Sequence, residues 1–133
     1  MPTDREYSAQ ELVNKEVALA FYDAALNRKD ADAACALLGP EYLQHNPKAQ
    51  DGVEGFRTFV ATLRAATPES QSEIKQVFVD GNVVILHVHK IPEPGTLGVA
   101  IIDLFRLADG KIVEHWDVTQ QIPSETASGN SMF

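Results

Sequence analysis

The sequence of 133 residues is long enough for one domain with an apolar core, and its 44% of hydrophobic residues is ordinary for a globular protein. Its net charge of −8 argues against binding to nucleic acid or an anionic membrane, because the 11 basic residues are scattered. No apolar stretch approaches the roughly 20 residues that span a bilayer, and the polar start lacks the apolar core of a signal peptide. The single cysteine, Cys35, excludes an internal disulfide, so the expected location is the reducing cytoplasm.

The first half of the chain carries the apolar spacing of three helices. Ser8 and Glu11 form a capping-box pattern at the start of a helix that is predicted to run to about Asn27. A second, short helix is predicted over residues 30–38, where an aspartate can cap the start and a Gly-Pro pair ends it. A third helix is predicted within residues 51–67, because apolar residues recur there at intervals of three and four.

From residue 72 the apolar period changes to two, which is typical of strands. Four strands joined by short turns are predicted to pair antiparallel: 72–80, 83–91, 97–107 and 111–120. Helices followed by strands predict an α+β domain with the helices on one face of a curved sheet. We expect one domain over residues 1–133 with loop-like ends at 1–7 and 123–133, and the mixed segment 41–46 is left unassigned.

The last predicted strand carries the first candidate for a functional residue. Successive side chains on a strand point to opposite faces, so Val113, His115 and Asp117 share one face. A carboxylate and an imidazole on an otherwise apolar strand are costly to bury unless each meets a partner. Asp117 is therefore predicted to be functional, with His115 as its neighbour on the same face.

Asp103 is a second carboxylate in an apolar strand, and its surroundings depend on the strand register. A tight turn at Asp109-Gly110 would place it opposite Trp116, whereas a one-residue bulge would place it beside the polar residues of the last strand. Two interpretations stay open. Asp103 either belongs to a catalytic pocket or forms a structural contact with Arg106 or a helix cap.

The remaining histidines have competing interpretations. His87 and His89 share one face of a strand and could ligate a metal if His115 or Asp117 completed the set. Alternatively, one lines a pocket and the other is a partly exposed sheet residue. No second spaced pair of ligands supports a metal, so no metal site is predicted. His45 by itself is expected to be a surface or hydrogen-bonded loop residue.

Four motifs together resemble one protein family. They are Tyr42-Leu-Gln-His-Asn-Pro47, Asp51-Gly-Val-Glu-Gly-Phe56, Ile102-Asp-Leu-Phe-Arg106 and Asp109-Gly-Lys-Ile-Val-Glu-His-Trp-Asp-Val118. This combination resembles the SnoaL-like polyketide cyclase family, of the nuclear-transport-factor-2-like fold superfamily. The closing residues 130–133 resemble the ends of bacterial members labelled SnoaL-like aldol-condensation enzymes, and the resemblance extends from about Glu11 onward. It is specific for the family, but a fold does not fix a reaction.

The resemblance implies a cone-shaped α+β barrel whose helices and bent sheet enclose an apolar pocket open at one end. Characterised cyclases of this kind close a ring by intramolecular aldol condensation without a metal or organic cofactor. By motif position the acid/base role falls on Asp117, with His115 beside it, and Asp103 completes the predicted catalytic set. Five residues are expected in the pocket: Tyr42, His45, His89, Phe105 and Trp116. A homodimer that takes a small apolar ligand is also expected.

The predicted chemistry is proton transfer next to a carbonyl group. Asp117 would shuttle the proton, while His115, His89 or His45 would donate to the enolate oxygen. A non-catalytic binding or dimerisation module of the same fold is the first alternative. Epoxide hydrolysis is the second, although Asp103 and Arg106 are expected to face opposite ways and match the pattern of such hydrolases poorly.

Overall fold

The helices occupy the first half of the chain, as predicted. The computed structural model describes residues 6–133, so the part of the predicted loop-like start that covers residues 1–5 lies outside the described residues. The helices are α1 (Ala9–Tyr22), which continues as a π-helical turn over Asp23–Asn27, α2 (Ala31–Cys35) and α3 (Gly52–Ala66). In the described part of the chain, no helix is both long enough and apolar enough to cross a membrane.

The capping box that starts α1 is formed from both sides. The amide of Glu11 donates to Ser8 Oγ at 3.1 Å, and the amide of Ser8 donates to Glu11 Oε1 at 3.0 Å. The predicted extent of α2 is too long, because the helix ends at Cys35 and the chain enters a strand at Leu38. The Gly-Pro pair expected to stop this helix therefore lies inside a strand.

Five strands form one sheet in the order β1-β5-β4-β3-β2. The strands are β1 (Leu38–Gln44), β2 (Gln71–Asp80), β3 (Val83–Ile91), β4 (Val99–Ala108) and β5 (Lys111–Gln121). The pairs among β2 to β5 are antiparallel, as predicted, but β1 runs parallel to β5. The sheet is therefore mixed, and it stays open with β1 and β2 as its edges.

The helices cover one face of the curved sheet, and the core lies between them. On β3, Val84, Leu86 and Val88 are fully buried, which marks the face toward the helices. Phe21 of α1 packs at 5.0 Å, ring centre to ring centre, from Phe56 of α3, and at 5.7 Å from Phe105 of β4. This aromatic cluster ties both long helices to the middle of the sheet.

A bulge in β5 decides which residues face each other across β4 and β5. Next to the turn, Leu107 pairs with Ile112, but the following pair is Arg106 with Glu114, so one extra residue, Val113, is inserted. A Cβ atom on Gly39 of β1 would lie 2.7 Å from Val113 Cγ1, so this glycine leaves room for the Val113 side chain in its present position. Beyond the bulge the register has shifted by one residue, which settles the question that the sequence left open.

The C-terminal Phe133 packs on its own sheet. Its ring lies 4.7 Å from the ring of His89 and 5.2 Å from that of His87, both on the face of β3 that points away from the helices. Lys75 Nζ lies 5.6 Å from the Phe133 ring centre. The tail from residue 123 contains no helix or strand.

Candidate functional site

A cavity of about 500 Å³ lies between the helices and the concave face of the sheet. Aromatic and aliphatic side chains form most of its wall: Phe21, Tyr22, Leu26, Tyr42, Phe56, Phe59, Val99, Ile101 and Phe105. Its polar lining residues are Gln44, Asn46, Lys48, Lys90, Asp103, His115, Asp117 and Thr119. An apolar hollow of this size with a few converging polar groups is typical of a small-molecule site.

The shifted register brings the three predicted catalytic residues together. Asp103 pairs with Asp117 across β4 and β5, and His115 stands next to them on the same face. His115 Nε2 lies 2.7 Å from Asp103 Oδ1, and the two residues are 7% and 3% exposed. The structural alternatives for Asp103, a contact with Arg106 or with a helix cap, are not what the structure shows. Arg106 instead donates from Nε to Glu114 at 2.8 Å on the other face.

Gln44 determines where the protons of His115 lie. Gln44 Oε1 accepts the backbone N–H of Asn46 at 2.9 Å, which fixes the orientation of the amide, and it also lies 2.7 Å from His115 Nδ1. Because that oxygen can only accept, Nδ1 carries a proton. A second proton must then lie between Nε2 and Asp103 Oδ1, shared by an imidazolium and a carboxylate or by an imidazole and a carboxylic acid. Either arrangement makes the Asp103–His115 pair neutral overall.

Burial raises the pKa of Asp103 above its ordinary value, and the hydrogen bond and charge of His115 oppose that rise. The nearby hydroxyl of Tyr22 also lowers the pKa of this carboxyl group. Asp103 Oδ2 is buried and accepts no hydrogen bond of good geometry from residues 6–133. A carboxyl group in such surroundings holds its proton more firmly than one in water.

Asp117 is held at the cavity wall by Asn46. Asn46 Nδ2 lies 2.9 Å from each carboxylate oxygen, and Asn46 Oδ1 accepts the backbone N–H of Lys48 at 2.8 Å, which fixes the amide. Asp117 Oδ2 lies 4.0 Å from His115 Nε2, and the Asp117 side chain is 14% exposed. Asp117 is thus the carboxylate of the site that remains open to the cavity.

The structure corrects the expectation for His45 and Trp116. The parallel pairing of Gln44 with His115 directs Gln44 and Asn46 into the cavity and turns His45 to the opposite face. There the His45 ring stacks on Trp116 with centres 4.9 Å apart, and its Nε2 lies 2.7 Å from Glu114. His45 and Trp116 are therefore absent from the cavity lining.

The pocket position expected for His89 is also not observed. His89 Nε2 contacts the carbonyl oxygen of Leu97 at 2.8 Å, and its ring stacks on Phe133 outside the cavity. His87 shares that outer face, so the alternative metal site of two sheet histidines with Asp117 is not assembled. The histidines expected to stabilise an enolate are thus either outside the cavity or, for His115, already hydrogen-bonded through both nitrogens.

Two phenol groups, those of Tyr22 and Tyr42, line the cavity, whereas His45 and His89 do not. The Tyr42 hydroxyl accepts a hydrogen bond from Gln44 Nε2 at 3.1 Å, and its own proton is not donated to any residue in the range 6–133. Tyr22 lies beside Asp103. Burial raises the pKa of both phenols, and Asp103 adds to the rise. Both groups therefore stay protonated at neutral pH and can act as donors.

The only sequence signal for the site residues of β1 was that they alternate with a period of two. Tyr42, Gln44 and Asn46 alternate along β1 and its extension, but the segment looked too mixed to assign as a strand. Tyr22 lies in the apolar stripe of α1, where nothing distinguishes a site residue from a core residue. Phe105 lines the cavity as expected, with its ring stacked 4.8 Å from that of His115.

Asp103, His115 and Asp117 also offer a possible set of metal ligands, with one atom from each lying within 4.8 Å of the others. Two carboxylates and an imidazole suit a divalent cation. However, His115 Nε2 and Asp103 Oδ1 lie at hydrogen-bond distance, 2.7 Å. Ligands around a tetrahedral ion would stand roughly 3.3 Å apart. Binding an ion would therefore require the shared hydrogen bond to break.

Replacing Gln44 with Leu should remove the hydrogen bond that keeps Nδ1 of His115 protonated. The Nδ1–H group would lose its acceptor in a buried place, which costs about 1–3 kcal/mol of unfolding free energy. Nitrogen NMR of the His115 ring should show Nδ1 protonated in the wild type and a changed tautomer in the variant, while urea denaturation gives the stability. Gln120→Leu, at an exposed position of β5, the strand that carries His115, is the control. An unchanged His115 spectrum in Gln44→Leu would contradict the assigned tautomer.

Replacing Asp103 with Asn should change how stability depends on pH. Because burial raises the folded-state pKa of Asp103, its contribution to stability is full below the unfolded value of about 3.9 and is lost as pH rises through the folded value. Thermal unfolding at stepped pH should therefore show the wild type losing stability relative to Asp103→Asn as pH rises above about 4. Parallel curves for the two proteins, matching the exposed control Asp109→Asn, would show that no such raised pKa exists.

The sequence of this chain matches one protein family, and its structure is similar to solved structures that share one fold. The sequence profile of the SnoaL-like domain family matches residues 18–115. A proposed SnoaL-like polyketide cyclase from Jannaschia sp. CCS1 is 25% identical, with a TM-score of 0.71, and the match covers 86% of this chain and 90% of that one. TsrD from Streptomyces laurentii is 23% identical, with a TM-score of 0.68, over 86% and 91% of the two chains.

A proposed ketosteroid isomerase from Kribbella flavida DSM 17836 shares the fold at lower identity. It is 14% identical, with a TM-score of 0.70, and the match covers 88% of this chain and 84% of that one. No protein of curated function matches the sequence significantly. Structural neighbours of this kind therefore carry different proposed activities on one fold.

Proposed function

Because this chain belongs to the SnoaL-like domain family, we propose that it catalyses proton transfer on a small carbonyl compound, as an aldol-type cyclase or an isomerase. The observation that carries this proposal is the position of Asp117. Its carboxylate is held at the wall of an apolar cavity, beside the neutral Asp103–His115 pair and near phenol donors. The proposed reaction needs groups of this chain only.

Asp117 is the proposed base. A proton next to a carbonyl group is removed by a base within hydrogen-bond reach of that carbon. Asn46 donates to both oxygens of Asp117 with one nitrogen, which holds the carboxylate in place while it faces the cavity. An aspartate is a weak base in water, yet it suffices where donors stabilise the enolate as it forms.

The proposed donor to the enolate oxygen is Tyr42, because the Tyr22 hydroxyl is directed to Asp103. The Tyr42 O–H donates to no residue in the described part of the chain, and accepting a hydrogen bond from Gln44 Nε2 polarises it toward a further acceptor. Donors aimed at a developing oxyanion typically supply ~2.7–4 kcal/mol each. Tyr42 takes the donor role that was expected of His45 and His89.

The Asp103–His115 pair is proposed to assist the return of the proton. Its shared proton lies between His115 Nε2 and Asp103 Oδ1, and the same nitrogen is 4.0 Å from Asp117 Oδ2. A modest rotation of the Asp117 carboxylate would bring it into hydrogen-bond distance. Asp117 could then exchange its proton with the pair between the two halves of an aldol or isomerisation reaction.

Epoxide hydrolysis is less well supported by the geometry. Arg106, the arginine nearest to Asp103 in sequence, is bonded to Glu114 on the outer face of the sheet. Among residues 6–133, no arginine lines the cavity. Carbonyl chemistry needs only the base and donors that are present.

The test is a screen of small cyclic ketones, enones, polyketide-like esters and epoxides. Thermal shift identifies ligands, and proton NMR in deuterated water then measures exchange at the carbon next to the carbonyl. Exchange above the buffer rate, lost on substitution of Asp117, is the expected result. If ligands bind in a way that depends on Asp117 but show neither exchange nor product, the protein is a non-catalytic binding module. Hydration of an epoxide would instead identify it as an epoxide hydrolase.

We also propose that the outer face of the sheet pairs with a second copy of the chain. Ile102 on this face is 40% exposed, and the half-buried Leu104 and Trp116 lie next to it on β4 and β5. Sedimentation velocity should give a dimer for the wild type and a monomer for Ile102→Glu. A monomeric wild type at high micromolar concentration would reject the pairing.

A further inference from the structure

Lys90 interrupts the apolar pattern of β3 where the strand reaches the cavity. Val84, Leu86 and Val88 are fully buried toward the helices, and Lys90 continues the same alternation. It is half-buried and lines the cavity together with Asp103 and Asp117. A sheet that needed only a core would place an apolar residue at this position.

The backbone of Lys90 is fixed on three sides. It pairs with Ser72 of β2 and with Val99 of β4. On the third side lies Gly98, whose φ is +78°, and a Cβ on Gly98 would lie 2.1 Å from the carbonyl oxygen of Lys90. The stem of the side chain therefore starts from a rigid position at the cavity wall, unlike that of a surface lysine on a loop.

The Lys90 ammonium group has no partner within the described part of the chain. It forms no hydrogen bond and no ion pair with residues 6–133. Lys29 shows the contrast, because its Nζ, also removed from solvent, donates to the carbonyl oxygen of Ser70 at 2.8 Å. Burial lowers the pKa of Lys90, and the charges of Asp103 and Asp117 oppose that effect. A half-buried cation without a partner is energetically costly unless a ligand supplies one.

The charges of the cavity favour a monoanionic ligand group. The Asp103–His115 pair is neutral, which leaves Asp117 as the acid, Lys90 as the half-buried cation and Lys48 as an exposed cation among the lining residues. One ammonium matches a carboxylate in charge. A phosphate dianion calls for several converging donors, such as an arginine fork or helix-start amides.

We propose that Lys90 binds a carboxylate group of the ligand, so that the compounds this cavity accepts are keto acids rather than neutral ketones. The position of the ligand's carbonyl end at Asp117 rests on the proposed function; the anchoring of its acid end at Lys90 does not. A cavity of about 500 Å³ holds both ends of a small keto acid together with an aromatic ring.

The test compares benzoylpropionate with its methyl ester by isothermal titration calorimetry. These two ligands share the ketone and the ring and differ in charge. The wild-type protein should bind the acid about tenfold or more tightly than the ester, since hydrogen bonds to charged groups contribute about 1.5–3 kcal/mol. Lys90→Met should lower the affinity for the acid by a similar factor and leave that for the ester unchanged, whereas Lys48→Met should change both little.

Three results would overturn the assignment: equal wild-type affinity for acid and ester, equal losses in Lys90→Met and Lys48→Met, or a borohydride-trapped covalent adduct at Lys90. The wild-type ratio needs no variant, and Lys90→Gln serves if Lys90→Met does not fold. Deuterium exchange separates this inference from the proposed function. If the protein prefers the acid through Lys90 but catalyses no deuterium exchange, carboxylate binding by Lys90 is supported and the proposed proton transfer is rejected. If it catalyses exchange but shows no such preference, the proton transfer is supported and carboxylate binding by Lys90 is rejected.

Discussion

Substitution of Asp117 by Asn should lower the rate of deuterium exchange into a bound ketone by about 10²–10⁴-fold, because general-base catalysis contributes about that much. The amide has nearly the shape of the carboxylate, so the fold should be preserved. The amide oxygen, however, is far too weakly basic to take up the proton. The measurement is proton NMR of the exchanging position at saturating ligand, with ligand affinity determined separately so that a loss of rate is not confused with a loss of binding.

The matched control for this experiment is Asp109→Asn. Asp109 lies exposed in the β4–β5 turn with a φ of 52°, a conformation that Asn also tolerates, so the control makes the same chemical change outside the cavity. Its exchange rate should equal that of the wild type. Full turnover by a folded Asp117→Asn protein would refute the role given to this carboxylate.

Substitution of Phe21 by Ala should lower the unfolding free energy by about 3–5 kcal/mol. Phe21 is 2% exposed and contacts the rings of Phe56 and Phe105, so its removal leaves a void between both long helices and the sheet. Domains of this size are stable by about 5–15 kcal/mol, so the loss is a large fraction of the total. Urea denaturation gives the free energy, and the melting temperature should fall by roughly 10–20 °C.

Phe133→Ala is the control for that change. It deletes the same ring from a position that is 36% exposed on the outer face, where the ring lies against His87, His89 and Lys75. Its cost should stay near or below about 1 kcal/mol. A Phe21→Ala protein no less stable than Phe133→Ala would mean that the aromatic cluster is not the link between helices and sheet.

The neutrality of the Asp103–His115 pair explains how two aspartates can face each other across one strand pair. Two ionised carboxylates in adjacent strands would repel each other in a site of low polarity. Sharing a proton with His115 removes one of those charges, and Asn46 compensates the other through its amide. The site therefore contains one acid that shares a proton with His115 and one that is held by Asn46.

Local periodicity was sufficient for most of the fold. The capping box starts α1, the turn residues separate the strands, and β3 has the bounds Val83–Ile91 that its alternation predicted. The same alternation placed His115 and Asp117 on one face. These features depend on residues a few positions apart, so a single sequence carries them.

Contacts between distant segments decided the rest. The alternation within β5 cannot reveal that Val113 is an extra residue, because the bulge is defined by the pairing of β5 with β4. Nor can it reveal that β1 runs parallel to β5, which sends Gln44 and Asn46 inward and His45 outward.

The sequence by itself determined the three helices, the four antiparallel strands that follow them and the acid on the last strand, because each follows from the period of nearby side chains. The tertiary structure alone decided the partners of that acid. A shift of one residue between paired strands exchanges the inner and outer faces, and the free energy that selects the register comes from packing across the whole sheet.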